Sequence, residues 1–233
     1  MEKTKYKFSG QIKGFPLIKL KSHDIIQKIR AGSFYMNSLR VYREMYANSK
    51  DNTVGDPNEG KFLVHSAILS VPKAGVYKSI QDCPLSTLNE DDYVFCLFGI
   101  NPQKHSLFTF SDEQKKELIK FGDTALLITD AYELCKRVSK AAKDRNLEID
   151  GDFVQYYDPK ADDVLRLAQL VVNGMKNIVF HKTNNYAYQQ EYRFTIANNT
   201  GDDHIILEIG SIEDISEVFS TEDMLNSKTI LNQ

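Results

Sequence analysis

The sequence has no tryptophan, few cysteines and prolines, and no long apolar run. Its three cysteines, Cys83, Cys96 and Cys135, show no CxxC spacing. They predict neither a disulfide framework nor a zinc site, and they indicate a reducing compartment. No N-terminal stretch has the form of a signal peptide, and no segment approaches the ~18 apolar residues of a membrane span. We therefore expect a cytoplasmic protein with no membrane partner.

Common catalytic signatures are also missing. The five histidines have no ligand spacing such as HxxxH, so we expect no metal site. The chain has no GxSxG elbow, no P-loop and no Rossmann glycine fingerprint. These absences exclude several common enzyme classes.

Positive charge is not in excess over the whole chain. The net charge is −3, which gives no general basic footprint for nucleic acid. Six lysines nevertheless fall in the first 21 residues and are opposed only by Glu2. This segment is interpreted either as a solvated terminus or as an edge that faces phosphates.

The composition is that of a globular chain, with 42% hydrophobic and 26% charged residues. No repeat or linker marks a boundary, so we predict one domain over 1–233. The predicted strands are 15–20, 33–39, 62–71, 93–100, 124–128, 153–157, 178–181, 192–197 and 204–209. The predicted helices are 23–30, 112–121, 131–145 and 162–174. We interpret 47–60 as a surface loop, and the tail from Glu213 as a weak helix or irregular segment.

Strands outnumber helices and do not alternate strictly with them. This order favours an α+β fold over a doubly wound one. We expect a mixed, mainly antiparallel central sheet with peripheral helices.

The segment 186–196 carries the clearest functional pattern. In a strand that begins at Glu191, alternation puts Glu191, Arg193 and Thr195 on one face. Arg193 then reaches Glu191 and holds its carboxylate ionised. Gln189 precedes them on the same side. An exposed Glu–Arg pair, which contributes little energy, fits the same pattern.

Two further groups of polar residues are candidates. Asp56 and Glu59 lie in the sequence GDPNEG, which is interpreted as a turn or as a site that holds a ligand hydroxyl or a metal. Tyr35 and Asn37 alternate with apolar residues, so the second strand also has a polar face. Lys19 and Arg40, in or just after the first two strands, are further polar candidates for this site.

Several motifs together resemble a known family. They are the strand–helix–strand opening 17–39, Asp56-Pro57-Asn58-Glu59, Phe121-Gly122-Asp123, Val154-Gln155-Tyr156 and the signature from Phe180 to Arg193. Their order resembles a bacterial and phage family of unknown function that is common in abortive-infection and defence gene neighbourhoods. Gln189 replaces the usual first Glu of an E-x-E motif, and Lys19 stands near a position where His or an aromatic residue is common.

Gln189-Gln190-Glu191 also fits the Q-x-E form of the ADP-ribosyltransferase-like superfamily, to which DarT-like toxins belong. This resemblance implies an ADP-ribosyltransferase-like fold with NAD as the substrate. It implies that Glu191 stabilises the ribosyl oxocarbenium, that Gln189 positions the acceptor and that Arg193 orients Glu191.

The same resemblance assigns contacts with NAD. Tyr35 would stack on nicotinamide, and Lys19 or Arg40 would meet the pyrophosphate. The remaining residues of the expected NAD-binding set are Asn37, Asp56, Glu59 and Tyr188.

The function implied is that of a toxin or phage-defence effector. It would modify RNA or protein, and a neutralising antitoxin would be a possible partner. One alternative is a catalytically inactive module that binds a nucleotide or a partner. Another is a metal-dependent nuclease built on Asp56, Glu59 and Glu191, which ranks last because Arg193 would repel a divalent ion.

Overall fold

The computed structural model describes residues 12–49, 55–64, 68–71, 75–78, 83–86, 91–104, 107–160, 172 and 176–230. Its helices are α1 (His23–Arg30), α2 (Leu39–Ser49), α3 (Asp112–Leu118), α4 (Ala131–Asp144) and α5 (Thr221–Leu225). The first eight strands are β1 (Leu17–Lys21), β2 (Ser33–Ser38), β3 (Lys61–Val64), β4 (Ile68–Val71), β5 (Gly75–Lys78), β6 (Cys83–Ser86), β7 (Tyr93–Gly99) and β8 (Leu107–Thr109). The others are β9 (Thr124–Ile128), β10 (Ile149–Phe153), β11 (Gln155–Tyr157), β12 (His181–Thr183), β13 (Glu191–Ile196), β14 (His204–Glu208), β15 (Ser216–Ser220) and β16 (Lys228–Ile230). No described helix is long and apolar enough to span a membrane.

Eight strands form the central sheet, in the order β10-β13-β7-β1-β9-β15, with β2 beside β7 and β14 beside β2. The pairs within this sheet are antiparallel. Period-two alternation puts one residue in two on each face. One face packs against α1 and α4 through residues that include Ile26, Phe34, Leu134 and Phe194. The predicted α+β class and mainly antiparallel sheet are confirmed.

The sheet forks at β7, and this fork prepares the site. One edge of β7 pairs with β1 at Leu17↔Gly99 and Ile18↔Phe98. The same edge pairs with β2 at Asn37↔Val94 and Ser38↔Tyr93. Between these two contacts β1 and β2 diverge. Lys19 enters the gap, and its Nζ donates a hydrogen bond to the carbonyl of Cys96 at 2.5 Å, which gives a backbone acceptor a partner.

Several predicted elements have the expected boundaries because their local signals agree with their packing. Helix α1 covers the predicted 23–30 and buries Ile26 and Ile29. Helix α3 begins after Ser111, which forms a capping box with Gln114. Strand β9 covers the predicted 124–128 and is buried at four of its five positions.

Other predictions were wrong about local structure. The surface loop predicted over 47–60 begins inside α2, a helix that the sequence analysis did not predict and in which Leu39 is the one buried residue. The predicted strand 62–71 is two strands, since β3 pairs with β6 and β4 pairs with β5. The predicted strand 153–157 is likewise split between β10 and β11.

The C-terminal part of the chain also differs from the prediction. The segment Lys176–Phe180 is a 3-10 helix, and β12 follows it. The tail from Glu213 is ordered as β15, α5 and β16, because its strands find partners in β9 and β8. The predicted helix 162–174 lies outside the described residues except for 172, which is helical.

Gly32 closes α1 in a conformation that a side chain would not tolerate. Its φ is +103°, and a Cβ atom there would lie 2.1 Å from the carbonyl oxygen of Gly210. We expect Gly32→Ala to lower the free energy of unfolding by about 3 kcal/mol or more, from strain and collision together. Urea denaturation measures this loss.

The matched control is Gly201→Ala, where φ is +77° but nothing lies within 4 Å of the added carbon. Backbone strain alone predicts a loss of about 1–2 kcal/mol there. Equal losses in the two variants would show that the close approach to Gly210 is unimportant.

Candidate functional site

Glu191 and Arg193 form a buried ion pair on β13. Glu191 Oε2 accepts a hydrogen bond from Arg193 Nε at 2.6 Å. The two residues are only 7% and 1% exposed. Tyr192, Phe194 and Ile196 lie in the hydrophobic core on the opposite face. The predicted division of the strand is therefore confirmed, and the alternative of an exposed Glu–Arg pair is wrong.

Glu59, distant in sequence, and Lys182, nine residues before Glu191, complete a charge cluster, which we define as Glu59, Lys182, Glu191 and Arg193. Lys182 Nζ lies 2.8 Å from Glu191 Oε1 and 3.2 Å from Glu59 Oε2. Arg193 Nη1 lies 2.8 Å from Glu59 Oε1. Each cation contacts both carboxylates, so the cluster is a closed ring with no net charge.

Turns on either side of the cluster position its members. Asp56 Oδ1 accepts a hydrogen bond from the backbone N–H of Asn58 at 2.8 Å, and Gly60 follows with φ +73°. The turn interpretation of GDPNEG is thus confirmed, and the same turn holds Glu59 in the cluster. Gln190, with φ +43°, bends the chain from the 3-10 segment Asn184–Gln189 into β13.

Neighbouring dipoles hold the two cations in place. Lys182 Nζ donates to Gln189 Oε1 at 2.9 Å and lies 4.7 Å from the centre of the Tyr186 ring. Arg193 Nη1 donates to the carbonyl of Val179 at 2.6 Å. Because charge-assisted hydrogen bonds reduce the cost of burial, these contacts stabilise the ionised cluster.

Burial and neighbouring charges shift the pKa values of Glu191 and Asp56 in opposite directions. Burial alone would raise the pKa of Glu191, but Arg193 and Lys182 outweigh it and hold that pKa well below its ordinary value. Burial, followed by the charge of Glu59, raises the pKa of Asp56 to about 6. Glu191 is therefore ionised at neutral pH, whereas Asp56 changes its protonation state about one pH unit below neutrality.

A cavity of about 120 Å³ lies between the cluster and the fork of the sheet. One wall is apolar and consists of Ile18, Leu20, Leu97, Phe98, Leu118 and Phe121. The other wall carries the four residues of the cluster together with Gln189, Tyr42 and Cys96. Lys19 and Lys21 reach the cavity from β1.

These two lysines are not neutralised as Lys182 is. Lys19 lies 4.4 Å above the ring of Phe95, and Lys21 lies 5.9 Å from that of Phe121. In the part of the chain that the structure describes, neither forms an ion pair with a carboxylate. Burial, with a smaller contribution from Lys21, lowers the pKa of Lys19 to about 8.

The structure brings together five of the residues proposed from sequence. Glu191, Gln189, Arg193, Lys19 and Glu59 all line the cavity. Asp56 lies behind Glu59, close enough for the charges of the two carboxylates to interact.

The other five proposed residues, which include Asp56, do not line it. Tyr35 is 50% exposed and stacks on His204, and Arg40 pairs with Asp203 at 2.7 Å. Tyr35 lies on β2, which pairs with β14 and with the start of β7, and Arg40 lies in the first turn of α2, which follows β2. Asn37 instead hydrogen-bonds to Tyr42.

Tyr188 contacts the site indirectly, because its hydroxyl accepts a hydrogen bond from Gln189 Nε2 at 3.3 Å. Its ring packs against the apolar cluster around Phe98 and Phe110.

Sequence reasoning missed Lys182 and Lys21 as site residues, whereas Tyr42 was among the polar and aromatic candidates that follow the first two strands. Lys182 belongs to the signature that runs from Phe180 to Arg193, which was a signal without an assigned role. Lys21 was counted only as part of a lysine-rich segment. In the described segments no group of His, Cys, Asp and Glu is arranged to hold a metal ion.

We expect the loss of a single charge from the cluster to lower the free energy of unfolding substantially. Glu59→Gln removes one of two negative charges that neutralise Lys182 and Arg193. Breaking a buried pair on one side costs about 3–5 kcal/mol of stability, measurable by urea denaturation at pH 7. The control is Asp144→Asn, since Asp144 pairs with Lys140 on the exposed side of α4 at 2.6 Å. There we expect a change below about 0.5 kcal/mol. Comparable losses would contradict the special role of the cluster.

Comparison with known proteins gives no relative whose site residues could be transferred to this chain. No family model, no curated protein and no solved structure matches this chain. The function therefore has to be argued from the geometry of the cavity.

Proposed function

We propose that this protein binds a small, phosphate-bearing ligand of the nucleotide class in the cavity beside the charge cluster. The observation that supports this proposal is the pair of lysines, Lys19 and Lys21, that reach the cavity without a carboxylate partner in the described chain.

The balance of charge favours an anion. Four cations and two carboxylates line the cavity, an excess of two positive charges among the described residues. Since the cluster is neutral by itself, the excess belongs to Lys19 and Lys21. Buried cations without a counter-charge are costly, and a phosphate would supply that charge.

The size and the apolar wall favour a ring. A cavity of about 120 Å³ is comparable with the ~150 Å³ cavity that holds benzene in another protein. One ring of a nucleotide therefore fits against Ile18, Leu20 and Phe98, with its phosphate toward the lysines and the rest of the ligand outside.

Binding can be tested with AMP, ADP-ribose and inorganic phosphate as probes. At a ligand concentration about ten times Kd, mass action predicts a rise in Tm of roughly 3–6 °C for a chain of this size. Lys21→Met should weaken binding by about tenfold, because it removes one charge-assisted contact. Lys140→Met, on the exposed side of α4, should leave binding unchanged. If no probe raises Tm, or if Lys21→Met binds as tightly as the natural chain, the proposal is wrong.

A second candidate function is transfer of ADP-ribose from NAD to RNA or protein, as a toxin or defence effector with a neutralising partner. It is favoured by the convergence of Glu191, Gln189 and Lys19 on one cavity. An ionised carboxylate has about four acceptor positions. The two cations bound to Glu191 therefore leave room for a ribose hydroxyl.

The positive charges around Glu191 favour ligand binding over transfer of ADP-ribose, which is why transfer is the second candidate. Cleavage of the nicotinamide–ribose bond develops positive charge on the ribose, which a negative environment stabilises. Here Arg193 and Lys182 neutralise Glu191 at 2.6 and 2.8 Å, and Lys19 adds positive charge. Binding of the phosphates gains from these cations, whereas the developing oxocarbenium does not.

Release of nicotinamide from NAD separates the two candidates. If the chain is a transferase, it should release nicotinamide and transfer label from NAD to a component of a cell lysate. Glu191→Gln should then lower that rate by about a hundredfold or more, while exposed Glu222→Gln should not. Binding of ADP-ribose without nicotinamide release would reject the transferase and keep the binding function.

A further inference from the structure

The amine of Lys19 has the surroundings of a reactive lysine. Its Nζ donates to the carbonyl of Cys96 and lies above the ring of Phe95, and the side chain keeps part of its surface open to the cavity. The titratable groups that face it are Lys21 on its own strand, Cys96 on β7 and Glu191 on β13. Two cations engage the carboxylate of Glu191, which leaves little of its charge to hold a proton on Lys19.

The carbonyl of Cys96 and the ring of Phe95 stabilise the protonated form, but burial and the neighbouring Lys21 favour the free amine. A lysine that is desolvated against apolar groups, or placed beside a second cation, loses its proton more easily and becomes a nucleophile. Lys19 meets both conditions, since burial acts first and Lys21 second to lower its pKa to about 8. An ordinary lysine has a pKa near 10.4, so at pH 8 Lys19 carries roughly a hundredfold larger fraction of free amine.

We propose that Lys19 forms an imine with an aldehyde that carries a phosphate group, such as the open-chain form of a ribose phosphate. This proposal rests on the phosphate-binding function proposed above and names the chemical class of the ligand. In the cavity, the carbonyl carbon would lie at Lys19 and the phosphate at Lys21.

The reaction needs no oxidant or metal. The lone pair of Lys19 Nζ attacks the carbonyl carbon, and a proton moves from nitrogen to oxygen to give a carbinolamine. Loss of the remaining nitrogen-bound proton and of the hydroxyl as water forms the C=N bond. The apolar wall formed by Ile18 and Leu20 excludes bulk water and so slows the reverse hydrolysis.

The spacing of the two lysines suits a small bifunctional ligand. Lys19 and Lys21 alternate with Leu20 on β1, and both line the cavity. In an extended strand the Cα atoms of two such residues are about 7 Å apart. An open-chain five-carbon sugar phosphate spans about this distance between its carbonyl carbon and its phosphate. Pyridoxal phosphate carries the same two groups at a shorter separation.

Pyridoxal phosphate is a suitable probe because it combines one ring, an aldehyde and a phosphate. The chain is incubated with a stoichiometric amount and reduced with borohydride, and the modified lysines are identified by peptide mass mapping. We expect Lys19 to be labelled at least roughly tenfold faster than exposed Lys140 at pH 8. The labelling rate should rise with pH to a midpoint near 8, as the pKa of Lys19 requires.

Pyridoxine phosphate, which has the same ring and phosphate but no aldehyde, separates binding from reaction. Lys19→Arg keeps the positive charge, so it should still bind pyridoxine phosphate while labelling at position 19 disappears. Lys21→Met should weaken the binding of pyridoxine phosphate and slow the labelling of Lys19, whereas Lys140→Met should change neither.

The outcomes separate the imine proposal from the proposal of a phosphate site. Binding of pyridoxine phosphate without preferential labelling of Lys19 would overturn the imine and leave the phosphate site intact. If neither compound binds and the labels are spread evenly over exposed lysines, both the imine and the phosphate site are overturned. Labelling of Lys19 with an unchanged rate in Lys21→Met would reject the phosphate-bearing class of ligand.

Discussion

The site depends on the mutual neutralisation of four buried charges. Glu59, Lys182, Glu191 and Arg193 are each less than a tenth exposed, and removing one such group from water costs several kcal/mol. The cost is offset because every cation contacts both carboxylates. Removal of any member leaves an unbalanced charge, so the turn that contains Glu59, strand β12 and strand β13 depend on one another.

The fork of the sheet buries a further positive charge, that of Lys19, which the cluster does not neutralise. Strands β1 and β2 share one edge of β7 and then diverge, so the gap receives Lys19 rather than another strand. The cluster is already neutral and has no free charge for this amine. Burial without a counter-charge lowers the pKa of Lys19, and the anion affinity that we propose for the cavity rests on the same lack of a counter-charge.

This electrostatic pattern also orders the proposed functions. A carboxylate that stabilises a developing cation works best when its own charge is free, and that of Glu191 is compensated by Lys182 and Arg193. A phosphate gains from the same cations. The motif Gln189-Gln190-Glu191 points to the reaction, whereas the contacts around Glu191 point to binding.

The sequence by itself determined the alternation of β13, the proximity of Arg193 to Glu191 and the antiparallel α+β class, because these follow from local periodicity and chain order. It did not determine that the pair is buried, since a polar face looks the same in a cavity and in water. It also assigned Tyr35 and Arg40 to the ligand, although the divergence of β2 from β1 keeps them away. Only the tertiary structure decided that Glu59 and Lys182 join Glu191. Glu59 lies more than a hundred positions before Glu191, and Lys182 lies nine positions before it but on a different strand, β12, so no local pattern encodes either contact.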